Sequence, residues 1–581
     1  MHTEPVPSHR RTRVIFLLLD LAFVFIIARL FYWQVLNRDQ LEAQAEQQYT
    51  RIVPTIGHRG KIYTSDGYLL VDNQKVYRLF ATPQTLQENP NLIAQSLTSV
   101  LAQGDPTATT PAQLKEIQQG LQTKLSDPHL KWVALKNQVD ENTKKNIEAL
   151  NIHGLGFDEF ETREYPEASM AAHVVGFVGK DKDGNDQGYF GIEGALDREL
   201  RAHSQEQTIL KDALGFHLLF DQQPSTDVTN GRDVVLTIRR DIQYMLETML
   251  QDGLQKYEAS EGEAIVMDPK TGRILAMAAT PSYDPAHFQN YDPSLYKNPA
   301  LTDTYEPGSI FKILTVAAGI DTGAVKEDTQ CTQCDGPRQI AGYTIKTWNE
   351  QYHPNITVTD ALAKSDNVAM IFVSELIGRD RFVDYIHRFG IGEPTHVELQ
   401  EDTGTPLRKD WKPIDLATTS FGQGIVTNGL QMVRAVGAIA NGGVMMRPTI
   451  ISKVIDPATG TSVPVDPIVE RQVVSPQTAQ TVTDMMVHSA ETGESKWAVS
   501  KTHFAATKTG TAQVPIAGHY DPTKTIASFI GFAPPADPKF VMLIKLRDPQ
   551  KSPWAAETAA PLWYAIAEKL YILLNVPADK N

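Results

Sequence analysis

Val14 to Leu36 is an almost wholly apolar run of 23 residues, and no other feature limits the chain's folding as tightly. As an α-helix the run is about 34 Å long, enough to cross a bilayer. Arg10, Arg11 and Arg13 precede it, so the positive-inside rule keeps the N-terminus cytoplasmic and puts everything after Leu36 outside. Ala43-Gln44-Ala45 offers a rival reading as a signal-peptide cleavage site, but the apolar run is too long for a signal core. The expectation is a cytoplasmic tail at 1–13, an uncleaved single-pass anchor at 14–36 and an extracytoplasmic remainder. Asp20 and Arg29 lie nine residues apart inside the anchor, on opposite helix faces, and cannot pair with each other. Snorkelling accounts for Arg29; for Asp20, contact with a partner membrane helix competes with snorkelling.

The chain has 581 residues, 41% hydrophobic and 21% charged, a globular composition too long for one ordinary domain. A net charge of -15 argues against a nucleic-acid binder, which needs a basic surface. The two cysteines form Cys331-Thr332-Gln333-Cys334; outside the membrane this reads as a local disulfide or two quiet thiols. A zinc site would have to draw on His353 and on Asp328 or Asp335, and is the weaker reading. No metal or organic cofactor is expected.

Three short motifs occur in a fixed order: Ser309-Ile310-Phe311-Lys312, Ser365-Asp366-Asn367 and Lys508-Thr509-Gly510-Thr511. Two decoys show that each is weak alone. Ser294-Leu295-Tyr296-Lys297 sits between Pro293 and Pro299, where a regular helix cannot hold the lysine one turn from the serine. Lys270-Thr271-Gly272 links two apolar runs, Ala264 to Met267 and Ile274 to Met277, and reads as a hairpin turn. Ser309, by contrast, follows Pro307-Gly308 and opens a run of apolar residues that reads as a buried helix starting at the serine. Lys508 reads as part of an edge strand.

Together the motifs resemble the active site of the penicillin-interacting serine acyltransferases. A serine hydroxyl needs a base, since a helix N-terminus supplies at most about 2 kcal/mol. Lys312 can be that base if burial and a neighbouring cation such as Lys508 keep it neutral. Ser365 is expected to relay the proton to the leaving amine, and Asn367 to hold Lys312 and a substrate amide. Lys508, Thr509 and Thr511 form a cradle for a substrate carboxylate, Gly510 allows close backbone approach, and the N–H groups of Ser309 and Thr511 make the oxyanion hole.

The likeness extends along nearly the whole chain. His58-Arg59-Gly60-Lys61-Ile62-Tyr63 with Asp66-Gly67, Arg163-Glu164-Tyr165-Pro166, His173-Val174-Val175-Gly176 and Gly191-Ile192-Glu193-Gly194 resemble the non-catalytic pedestal of class B penicillin-binding proteins. So do Gly231 to Ile238, Tyr305-Glu306-Pro307-Gly308-Ser309, Phe421-Gly422-Gln423-Gly424, Asn441-Gly442-Gly443 and Ser528 to Phe532 in the part that follows. The Tyr-Glu-Pro-Gly-Ser form leans toward the FtsI-like division branch rather than the elongation branch. Asn298-Pro299-Ala300 departs from the family's usual Asn-Arg-Ala, and no repeat module follows the apolar helix expected around Leu562 to Leu574.

The resemblance implies a mixed α+β pedestal over 37–230 and a transpeptidase domain over 231–581. The pedestal should hold a Ser65-Asp66-Gly67 hairpin and helices near 92–101 and 142–150. The catalytic domain should have the serine β-lactamase-like α/β fold, a five-stranded antiparallel sheet flanked by helices, plus an all-helical subdomain with Ser309 and Ser365 at its junction. It implies a D,D-transpeptidase that cross-links peptidoglycan stem peptides, is acylated by β-lactams, and works in the cytoplasmic membrane with a SEDS-type glycosyltransferase and other division proteins. A membrane-bound serine β-lactamase would need a water-positioning carboxylate, for which Glu401 is the candidate; a β-lactam sensor would need several membrane segments. A non-enzymatic scaffold would not need the catalytic set.

Overall fold

The computed structural model describes residues 9–41, 50–55, 57–103, 110–127, 129–202, 205–210, 230–516 and 519–580. Helix α1, His9–Phe31, continues into a π-helical turn at Tyr32–Leu36. Across the two, Arg13–Leu36 spans 24 residues and reaches a mean hydropathy of 2.6 over its most apolar 18, none of them buried in protein. That is the segment expected to be an anchor; Arg29 lies 5.5 Å from the Trp33 ring. Ala43-Gln44-Ala45 lies outside the described residues. Strands Thr50–Thr55 and Gln205–Leu210 pair antiparallel, Thr50 opposite Leu210 and Thr55 opposite Gln205. Met1–Gly57 with Ala202–Asn230 forms one compact unit, and His58–Arg201 with Gly231–Asn581 the other, so the 37–230 segment contributes to both.

In the second unit, β1 (Ile62–Tyr63) and β2 (Leu69–Ala81) flank the Ser65-Asp66-Gly67 turn, with Gly67 at φ +86° where a glycine is favoured. Next come α2 (Pro90–Gln103), α3 (Pro111–Leu125), β3 (Val133–Val139), α4 (Glu141–Glu148) and β4 (Leu155–Glu164). Both expected helices are present. The extra one, α3, starts on a reciprocal Thr110–Gln113 capping box and is mostly polar, burying only Leu121 and Leu125, so its weak apolar stripe hid it. Strand β2 lies between β3 and β4, and the lobe closes on Leu79, Ile93, Leu97, Leu121, Leu135 and Ile147.

The pedestal motifs meet at one buried carboxylate. Glu193 has no exposed surface and accepts from Arg59 Nε at 2.8 Å on one oxygen and from Arg163 Nε at 2.8 Å on the other. Arg59 also reaches Asp197, and Arg163 the Gly60 carbonyl, both at 2.8 Å. Two cations offset the desolvation of a charge that alone would be costly to bury.

The rest of the chain supplies β5 (Asp233–Leu236), α5 (Arg240–Tyr257), β6 (Glu261–Met267) and β7 (Ile274–Thr280). It continues with α6 (Lys312–Asp321), α7 (Val358–Ala363), α8 (Asn367–Ile377), α9 (Gly429–Ala440), β8 (Ile451–Ile455), β9 (Ser462–Pro464) and α10 (Pro476–Thr492). Last are β10 (Ala506–Ile516), β11 (His519–Ala533), β12 (Phe540–Arg547) and α11 (Ala559–Leu573). A seven-stranded sheet runs β9-β8-β5-β1-β2-β3 with β4 also on β2, joining pedestal strands to β5 and β8. The catalytic sheet has five strands in the order β7-β6-β12-β11-β10, all neighbours antiparallel.

Strand β12 shows why this sheet is a central layer. Val541 and Leu543 pack with the core around α6, α8 and α9, while Met542, Ile544 and Leu546 pack with α5 and α11 on the opposite face. Being buried on both faces, the strand is apolar from Phe540 to Ile544 without alternation. Lys545 interrupts it, and Glu263 and Asp303 oxygens at 2.5 and 2.9 Å neutralise the buried ammonium. The α11 helix, expected near 562–574, covers the sheet with Trp563, Ile566 and Leu570. Helix α9 is buried on all sides, and its two polar side chains find backbone acceptors: Gln431 Nε2 donates to Glu393 O at 2.8 Å and Arg434 Nη2 to Gly390 O at 2.6 Å. The helical subdomain holds α6, α7, α8 and α10, and adds a short hairpin, Arg338–Ile340 with Tyr343–Ile345.

Candidate active site

Tyr305 and Thr427 exchange two backbone hydrogen bonds of 2.9 Å, fixing the approach to Ser309. Gly308 at φ +56° then turns the chain into a 3-10 turn, Gly308–Phe311, and α6 begins only at Lys312. The sequence reading starts the helix at the serine; the structure instead puts the serine in a 3-10 turn ahead of the α-helix. Residues three apart eclipse one another in that geometry, so Ser309 and Lys312 remain on one side. The Gly308 N–H donates to Gly422 O at 2.9 Å, and a Cβ on Gly422 would come within 2.1 Å of Gly308 O. On the other flank, a Cβ on Gly510 would meet Ser528 Oγ at 2.5 Å, Ile310 Cγ2 at 2.9 Å and Pro307 O at 3.0 Å. Glycine at 510 therefore lets the edge strand β10 lie directly against the serine's turn.

Ser365 joins α7 to α8 in a left-handed backbone conformation, φ +57°, and Asp366 caps α8 by accepting from Ala369 N–H at 3.0 Å. This strained turn aims Ser365 at two lysines. The Lys312 ammonium nitrogen lies 2.5 Å from Ser365 O, 2.8 Å from Asn367 Oδ1 and 3.2 Å from Ser365 Oγ. Asn367 keeps its oxygen toward Lys312 because its Nδ2 donates to Lys346 O at 3.2 Å. Lys508 Nζ approaches the same Ser365 Oγ from β10 at 3.2 Å and also donates to Thr509 Oγ1 at 3.0 Å. Thr511 Oγ1 accepts from Ala555 N–H at 3.1 Å.

Both lysines are out of solvent. Burial, reinforced by the Lys508 charge, pushes the Lys312 amine well below the ordinary lysine range, against the pull of Asp366 and Glu494. Burial brings Lys508 down to about 8, with Glu494 opposing. Around Lys312, two of the three oxygens can only accept and the third, a hydroxyl, can donate. A neutral amine, with two N–H groups and one lone pair, matches that set.

The structure thus links Lys312, Ser365, Asn367, Lys508 and Thr509 in one hydrogen-bonded cluster where α6, α8 and β10 meet, with Ser309 in the turn that leads into Lys312 and Gly510 and Thr511 on the strand packed against that turn. The decoys lie elsewhere: Lys270-Thr271-Gly272 forms the β6–β7 turn, and Ser294 is exposed on a three-residue 3-10 turn. Glu401 is buried, and Oε1 accepts long hydrogen bonds from Gly191 N–H and Asn298 N–H at 3.5 and 3.4 Å. It serves the contact with the pedestal, not the Ser309–Ser365 cluster. Asn298 caps the short helix Pro299–Thr302 through a 3.1 Å bond from Ala300 N–H, which suits proline in the first helical position. Cys331 and Cys334 are joined as a disulfide, so they are not available as metal ligands.

Sequence reasoning missed two contacts near the site residues, although Glu306 and Gly424 both stand in family motifs. Glu306 accepts from Gly424 N–H at 2.9 Å and from Tyr520 O–H at 3.0 Å. Trp348 and Trp554 meet edge to face at 5.1 Å, two residues from Lys346 and one from Ala555. Both are exposed aromatic residues brought together over 200 positions, a contact no local pattern announces.

Residues 262–568 match the model of the penicillin binding protein transpeptidase domain, and residues 54–236 that of the penicillin-binding protein dimerisation domain. Stage V sporulation protein D of Bacillus subtilis is 31% identical over 583 residues, covering 98% of this chain and 87% of that protein. Peptidoglycan D,D-transpeptidase FtsI of Escherichia coli is 28% identical over 566 residues, covering 96% and 91%. Among solved structures, a peptidoglycan synthetase from Bifidobacterium adolescentis superposes with a TM-score of 0.70 at 27% identity, over 92% of this chain and 98% of that one. Penicillin Binding Protein 2X from Streptococcus thermophilus shares the fold with a TM-score of 0.72 at 23% identity, over 90% and 80%. A transpeptidase domain preceded by a dimerisation domain, with the three motifs meeting where α6, α8 and β10 converge, makes this chain a member of the class B penicillin-binding proteins.

Proposed function

We propose that the protein is a membrane-anchored D,D-transpeptidase that cross-links peptidoglycan stem peptides through a Ser309 ester and is acylated by β-lactams at the same atom. The reading is carried by the buried Lys312 amine, held by Ser365 and Asn367 in surroundings that favour its neutral form. Lys312 takes the Ser309 proton as Oγ bonds to the carbonyl carbon of the D,D-peptide bond. The N–H groups of Ser309 and Thr511 hold the resulting oxyanion, an effect worth about 2.7 to 4 kcal/mol per donor. As the C–N bond breaks, the Lys312 proton passes through the Ser365 hydroxyl to the departing amine. The amine of a second stem peptide then attacks the ester and returns its proton by the same route, restoring the serine. Lys508, with Thr509 and Thr511, holds the terminal carboxylate, and Asn367 a donor amide.

In this reading 1–13 is a cytoplasmic tail, 14–36 the single-pass anchor, 37–230 a non-catalytic pedestal and 231–581 the catalytic domain outside the cytoplasmic membrane. Septal wall synthesis, with a SEDS-type glycosyltransferase and other division proteins as partners, is the role that the FtsI relative favours. A β-lactamase fits less well, because Glu401 binds the pedestal backbone rather than lying where it could activate water.

The test is turnover of purified protein with a stem-peptide donor and an amine acceptor. A cross-linked product with release of the terminal D-amino acid is expected, together with a penicillin adduct that lasts many minutes. Rapid penicillin hydrolysis without cross-linking would reverse the assignment.

A further inference from the structure

Glu306 immediately precedes the Pro307-Gly308-Ser309 turn and is buried, 8% exposed. Its carboxylate has no cation in hydrogen-bonding contact among the described residues; both partners are neutral donors from distant segments. One is Gly424 N–H at 2.9 Å, in the loop whose Gly422 O accepts from Gly308 N–H. Arg408 steadies that loop by donating to Gly424 O. The other partner is the Tyr520 hydroxyl at 3.0 Å, carried by β11 on the hairpin that also presents Lys508 to Thr511 on β10. Three segments that border Ser309 therefore converge on one side chain. A buried carboxylate paired only with neutral donors is costly, and burial raises its pKa. The two hydrogen bonds and the more distant Arg408 charge oppose that rise.

We infer that Glu306 is a positioning residue for Ser309, latching the serine's turn, the 421–424 loop and the β10–β11 hairpin into one rigid assembly. This inference rests on the reading of Ser309 as the nucleophile. The Ser309 Oγ has to lie within reach of the Lys312 amine and face a carbonyl whose oxygen is held by the Thr511 N–H, and the latch fixes the distance between the element that carries the serine and the strand that carries Thr511. A displacement of about 1 Å between such elements costs on the order of 100-fold in rate. Because both partners donate, the ionised carboxylate can satisfy both. A glutamine can also do so, accepting from Gly424 N–H through its oxygen and donating to the tyrosine oxygen through its amide.

The test is a double-mutant cycle on the full-length protein with Tyr520→Phe, Glu306→Ala and the pair, plus Glu306→Gln as the conservative variant. Two quantities are read: the thermal midpoint, and the penicillin acylation constant separated from the dissociation constant and normalised to titrated active sites. Tyr520→Phe is expected to slow acylation about tenfold by removing one hydrogen bond to a charged group. Glu306→Ala is expected to slow it about 100-fold. Penicillin dissociation constants stay within about twofold, Glu306→Gln recovers most of the rate, and the double variant is no slower than Glu306→Ala. Additive losses, or single variants that acylate like the parent, overturn the latch. The thermal midpoints separate the two ideas. Non-additive midpoints in a parent that penicillin never acylates would leave the latch standing and remove Ser309 as the nucleophile; additive midpoints would remove the latch whatever the serine does.

Discussion

Lys312 and Lys508 share the Ser365 hydroxyl, and the account needs them in opposite protonation states. Lys312 has to be neutral to take a proton, and Lys508 has to be charged to hold a carboxylate. The acylation rate therefore rises with pH as Lys312 loses its proton, at a midpoint well below the ordinary 10.5, and falls again as Lys508 loses its own near 8. The prediction is a bell-shaped pH profile for carboxylate-bearing substrates, in which a substrate lacking that carboxylate keeps the rising limb and loses the falling one. Lys312→Arg, which stays charged, should fold and lose most acylation. A rate that is flat with pH while the protein stays folded would point to another base. At this scale the sequence was legible wherever chemistry demands a residue type at a fixed spacing, as in Ser309 with Lys312 or Ser365 with Asn367. It named Glu306 only as part of a family motif and did not show its partners, which lie 118 and 214 positions away and follow no local pattern.

Elements place these side chains, and glycine decides how closely they approach. Gly422 sits at φ +81° with Gly308 O where its Cβ would be, whereas Gly442, at φ +62°, has open space around it. Alanine at either site costs about 1 to 3 kcal/mol of backbone strain. Only Gly422→Ala also displaces the carbonyl of the serine's turn, so it should slow penicillin acylation at least about tenfold while Gly442→Ala leaves the rate near the parent's. Equal acylation rates in the two variants would detach the 421–424 loop from the site. The local pattern did not single out the doubly buried strand β12 but revealed the Lys270 turn and the edge strand carrying Lys508. It blurred the start of α6, because apolar periodicity does not separate a 3-10 turn from the α-helix that continues it. It also missed α3, where two buried leucines are too few to mark a helix face.

For the molecule as a whole, Glu193 ties the chain's early strand to segments more than 100 residues later through Arg59 and Arg163. Glu193→Ala would leave two buried guanidinium groups without their shared anion. Chemical denaturation should show a loss of about 3 to 5 kcal/mol; a loss below about 1 kcal/mol would make the network incidental. The family motifs at 59, 163 and 193 were legible as a set, but a resemblance does not say that they are the three corners of one ion cluster. At the membrane, Asp20 costs about 2.5 to 3.5 kcal/mol in hydrocarbon, which a polar partner on a neighbouring helix would relieve. Asp20→Leu should weaken co-purification with the proposed glycosyltransferase while penicillin labelling of the detached extracytoplasmic part stays unchanged. Undiminished co-purification with normal insertion would leave Asp20 without a recognition role. The central claim, a covalent ester at the head of α6, is tested most directly by peptide mapping after penicillin treatment. The account predicts one added penicillin mass on the peptide containing Ser309, absent in Ser309→Ala with the fold intact; an adduct on Ser294 or Ser365, or an undiminished adduct in Ser309→Ala, would contradict it.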